Sequence, residues 1–94
     1  ANQEDHVSMA TNAALRLAPM ADNLEAILAI ELLAAAQGIE FHRPMRSSAP
    51  IEAAHAALRA HVAPWEEDRV MAPDIAAARR LIADAHFAAA VELA

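Results

Sequence analysis

Apolar positions dominate the first half of the chain and leave little room for a polar face. From about Ser8 to Gln37 nearly every residue is a good helix former, and residues 26–36, AILAIELLAAA, hold ten apolar side chains in eleven. A helix that is apolar all round is an enclosed helix, and its neighbours here are expected to be other segments or other subunits. Gly38 follows where a left-handed C-terminal cap would sit. Pro19 removes one backbone donor and crowds the carbonyl of Leu15, so the segment is either one kinked helix, which we favour, or two in succession. Residues 39–50 have no helical period and read as a loop. Pro50 suits the first position of a second helix, about Ile51 to His61, with Ile51, Ala54, Leu58 and Val62 on one stripe. Pro64 ends it. After a short acidic turn, Pro73 opens a third helix from about Asp74 to the terminus. No strand-like alternation appears, so the fold class is all-α: one long kinked helix followed by two shorter ones, within a single segment spanning residues 1–94.

Composition turns this from a domain into a piece of one. Of the 94 residues 28 are Ala, which favours helix but buries little area, and there is no Cys to staple a small core. Seven Arg against thirteen acidic residues give a net charge of −6, which argues against a nucleic-acid partner. No apolar run reaches the roughly 18 residues of a membrane span and the start lacks the form of a secretory signal, so no membrane partner is expected and a cytoplasmic parent is the default.

Candidate chemistry is sparse. Histidines 6, 42, 55, 61 and 86 include no pair at i and i+4, so no metal site is assigned and hydrogen-bonded or exposed roles are expected. Arg43, Arg46, Arg79 and Arg80 read as solvated or ion-paired, Trp65 as a packing anchor, and Glu31 as an ion-paired or part-exposed carboxylate within the apolar stretch. The polar run NQEDH at residues 2–6 is the exception. Asn and Asp are good N-caps, yet capping uses one or two such groups rather than five.

NQEDHVSM resembles a segment of the aromatic amino acid ammonia-lyases and aminomutases, in the form carried by the histidine-specific members. Three further stretches are similar in the same order: ILAIELLAAAQG at 27–38, RPMRSSAPIEAAHAALR at 43–59 and EEDRVMAPDI at 66–75. The resemblance implies the C-terminal portion of a larger helical-bundle enzyme, a homotetramer, that eliminates ammonia from L-histidine to give urocanate. It also implies a methylidene-imidazolone (MIO) prosthetic group cyclised from an internal Ala-Ser-Gly. The only glycine here, Gly38, follows Ala36 and Gln37, so this chain cannot form that group and alone is expected to be inactive. Ala10, where the family often has Gly, and Pro19 depart from the family pattern. By similarity, Glu4 lines the substrate pocket, as imidazole ligand, general base or both, and Gln3 joins its hydrogen-bond network. A carboxylate accepts the N–H of an imidazole, whereas a phenyl ring would strand it. A lyase or aminomutase for another aromatic amino acid, and a non-catalytic helical oligomerisation or interaction module, are the alternatives.

Overall fold

The computed structural model describes residues 8–88, and within them the chain forms three α-helices and no strand. α1 spans Ala10–Phe41, α2 Ala49–Arg59 and α3 Ala72–Ala83. At 32 residues α1 is about 48 Å long, and it runs unbroken through Pro19. Of the two outcomes open at that proline, the chain takes the single helix.

Two helix ends differ from the sequence expectation. Gly38 is not a left-handed cap: no glycine has positive φ, and α1 continues to Phe41. The extra turn is retained because Glu40 within it grips α2 through Arg59 and His55, each at 2.8 Å. Nor does α3 run to the terminus. It stops at Ala83, where the His86 N–H bonds the Leu81 carbonyl and the Ala85 N–H bonds the Ile82 carbonyl, the paired bonds of a Schellman cap. The starts lie close to expectation, with Pro50 and Pro73 one residue inside α2 and α3.

A small core forms where the C-terminal half of α1 meets α3, with α2 and its following turn closing the end. Ala29, Leu33 and Ala36 lie on one stripe of α1 and are buried with Leu58, Val62, Ala78 and Leu81. The stripe is mostly alanine on the α1 side, which lets the helices approach closely but limits the apolar area removed from water. Trp65, Ile75 and Phe87 pack around it, so Trp65 is the anchor its position suggested. The rest of α1 is uncovered. Residues 10–24 are exposed throughout, and even within 26–36 Ile27, Leu28, Ile30 and Glu31 face solvent.

Candidate functional site

Gln3 and Glu4, the residues assigned to a substrate pocket by similarity, lie outside the described residues. The described chain resumes at Ser8, whose Oγ accepts from the Ala10 N–H at 3.4 Å, and passes at once into α1. Glu4 therefore precedes in sequence an arm of helix that nothing else in the described chain covers.

The polar chemistry that the structure does bring together lies at the other end of α1. Glu52, His55 and Arg59 form one stripe of α2, at spacings of three and four residues, and face the last turn of α1 and the loop after it. Arg43 grips Glu52 with both prongs of its guanidinium, at 2.7 and 2.9 Å. The Glu52 carboxylate also accepts the Ser47 N–H at 2.8 Å and lies 3.4 Å from Arg46. Arg43 first, then the Ser47 N–H, hold the Glu52 carboxyl down at about 2. On the α1 side, one oxygen of Glu40 accepts from both Arg59 and His55. The Arg59 hydrogen bond is the main influence keeping Glu40 below the usual carboxylate range, against desolvation, which acts upward. His55 joins the two halves, with its Nδ1 3.5 Å from Arg43 Nη2.

Two smaller arrangements fix the segment between α2 and α3. The buried Gln37 amide meets the backbone of Trp65 in both directions, accepting its N–H at 2.9 Å and donating to its carbonyl at 3.4 Å. Arg69 donates to the carbonyls of Ala63 and Pro64 and to Asp74, which also accepts the Trp65 indole N–H at 3.2 Å. These contacts satisfy loop carbonyls that no helix or sheet pairs. Arg79 pairs with Glu25 across the α1–α3 seam at 3.1 Å, so Arg43, Arg46 and Arg79 are ion-paired as the sequence suggested.

Each carboxylate in these clusters is matched by a guanidinium, and the hydrogen bonds from Arg43 and Arg59 hold those of Glu52 and Glu40 below their ordinary range. The clusters are clamps. Among the described residues no three His, Asp or Glu side chains converge as metal ligands. The concavities are open grooves: one of about 400 Å³ is lined by Leu15, Arg16, Pro19, Met20 and Asn23, all on α1, so it is a furrow along one helix rather than a pocket. Taken residue by residue, the sequence treats Arg43 and His55 as paired or solvated groups and misses their union. The stripe of Glu52, His55 and Arg59, running beside the apolar one, is the signal that was available.

The sequence model of the family described as aromatic amino acid lyase matches residues 1–60, a stretch that includes Gln3 and Glu4. Over 93 residues the chain is 57% identical to the histidine ammonia-lyase of Roseobacter denitrificans, covering 99% of this chain. It is 56% identical over 91 residues to that of Rhodospirillum rubrum. The described fold matches the crystal structure of histidine ammonia-lyase from Trypanosoma cruzi with a TM-score of 0.85 at 41% identity, over 96% of this chain. In each case the chain spans 18% of the relative's length.

Proposed function

The chain belongs to the aromatic amino acid lyase family, and from that premise we propose that it is the C-terminal part of an enzyme that eliminates ammonia from L-histidine to give urocanate. The observation that carries this reading is the 57% identity to a histidine ammonia-lyase over 99% of the chain. In the reaction the Cα–N bond and a Cβ–H bond break, the nitrogen leaves as ammonia, and the side chain becomes conjugated with the new double bond.

Glu4 is the residue through which this chain reaches the substrate. Its carboxylate accepts an imidazole N–H in a charge-assisted bond and so selects histidine over phenylalanine or tyrosine. Placed beside the β-carbon, the same group can serve as the base that takes the proton. Gln3 supports it by hydrogen bonding. The methylidene-imidazolone group does not fit these residues as a product of this chain. Gly38, the only glycine, follows Ala36 and Gln37 and lies inside α1 with its backbone helical. The group belongs to the remainder of the enzyme, and the 94 residues alone are inactive.

The partners of this segment are the rest of the same polypeptide and the other subunits of a homotetramer; the uncovered faces of α1 support that assignment. No helix among the described residues is long and apolar enough to cross a membrane, and we place the whole enzyme in the cytoplasm.

The test is Glu4→Gln in the full-length protein, with L-histidine, L-phenylalanine and L-tyrosine offered separately and the conjugated product followed by its ultraviolet absorbance. Histidine turnover is expected to fall about 100-fold or more with assembly unchanged. Near-normal turnover by the variant overturns the role of Glu4, and wild-type turnover of another aromatic substrate alone overturns the choice of histidine.

A further inference from the structure

We propose that the uncovered face of α1 receives a second copy of the same helix, run antiparallel, with Arg16 of each copy paired to Glu31 of the other.

Two sides of α1 carry different patterns. Ala29, Leu33 and Ala36 enter the core, and Asp22 and Glu25, on the same side, reach Arg79 of α3. Leu17, Met20, Leu24, Ile27 and Glu31 follow one another at spacings of three, four, three and four residues, and all five are exposed. At about 100° per residue they lie on the side turned away from the core, where α3 cannot reach them. Alternating spacings of three and four make the seam along which one helix packs lengthwise on another.

Charge selects the occupant. α1 carries five charged side chains, of which Asp22 and Glu25 pair with Arg79, and Glu40 with Arg59 and His55. Arg16 and Glu31, both exposed, are the two without an ion pair among the described residues. They are opposite in sign and separated by about 22 Å along the helix and about 60° around it. Within one copy they cannot meet. A second helix running in the same direction would set Glu31 against Glu31 in the seam, whereas a reversed one brings Arg16 to Glu31 twice, about a two-fold axis.

The apolar positions fit the reversed arrangement. With the axis near residue 22, Leu17 faces Ile27 of the second copy and Met20 faces Leu24, each pair occurring twice. Glu31 then faces Ala13, whose small side chain leaves room for Arg16 about 4.5 Å further along the helix. A carboxylate closed into an apolar seam is destabilising unless paired, and Arg16 of the second copy supplies the pair. This contact rests on the homotetramer proposed above and gives it a surface and a register.

Charge exchange in the full-length protein tests it, with the urea concentration at which the assembly dissociates read by sedimentation. Arg16→Glu and Glu31→Arg each set like charges together at both contacts and are expected to lower that midpoint. The double exchange Arg16→Glu with Glu31→Arg brings opposite signs back together and is expected to recover most of the loss. Unchanged midpoints in the single variants overturn the pairing, as does a wild type that sediments as a monomer. A double variant no better than the worse single one also overturns it and assigns the face to a different segment of the polypeptide. Histidine turnover by the wild type is followed separately: its absence would sink the proposed reaction without touching the pairing.

Discussion

Ala85 holds a left-handed backbone, with φ of 54°, at the residue just past the C-cap Asp84. That position usually takes glycine, because in the left-handed region Cβ crowds the following carbonyl at a cost of about 1 kcal/mol or more. Gly38, the chain's only glycine, sits instead inside α1, where its backbone entropy costs roughly 0.5–1 kcal/mol relative to alanine. A Cβ added to it would meet nothing within 4 Å. The two residues occupy each other's preferred sites. Both Ala85→Gly and Gly38→Ala are therefore expected to stabilise the fold, each by about 0.5–1 kcal/mol, as a rise in the denaturant midpoint at unchanged slope. A fall in midpoint for either would contradict the backbone assignment. The same pair shows the reach of local rules: a glycine after a run of helix formers signals a stop, but the stop is overruled two residues later by Glu40, whose partners lie 15 and 19 residues away.

α2 has two stripes. Ile51, Ala54, Leu58 and Val62 are legible from the sequence as an apolar face; Leu58 and Val62, the latter in the turn past the end of α2, are fully buried while Ile51, at the start, is 45% exposed. The polar stripe beside it, Glu52, His55 and Arg59, anchors the helix to α1 and its loop, and its meaning depends on partners that no spacing rule predicts. A pH dependence follows for the element. The folded-state carboxyl of Glu52 is depressed from 4.5 to about 2, so its pairing with Arg43 stabilises the fold fully above pH 4.5 and is lost as pH falls toward 2. Glu52→Gln is expected to lower stability at pH 6 and to remove part of the acid-induced loss between pH 4.5 and 2, as read from denaturant midpoints across that range. An acid limb identical to wild type would show that the pairing carries no linkage.

At the scale of the molecule, the radius of gyration is 19.2 Å with extents of 72 × 37 × 21 Å, whereas a compact 94-residue domain would have a radius near 12 Å. The excess is the arm of α1. Leu17, Met20, Leu24, Ile27 and Leu28 recur along one side of it and are 42–61% exposed, an apolar strip of the kind that soluble monomers rarely leave open. The sequence announced this surface as enclosed helix, and the described chain covers only its lower face. The same three-helix arrangement recurs within the Trypanosoma cruzi enzyme, of which it is 18%, so an open shape is what a segment shaped by the remainder of a larger fold should have. Produced alone, the 94 residues are expected to self-associate, with a sedimentation mass above that of a 10.0 kDa monomer and a broad thermal transition. Replacing Leu17, Leu24 and Leu28 together by Glu is expected to return the isolated chain to a monomer, since the charges fall on the strip and outside the core around Leu33, Leu58 and Leu81. A wild-type chain that sediments as a monomer and melts in one sharp step would mean that the core of α1, α2 and α3 is sufficient by itself. The uncovered strip would then be ordinary solvated surface rather than the seam along which the rest of the enzyme packs.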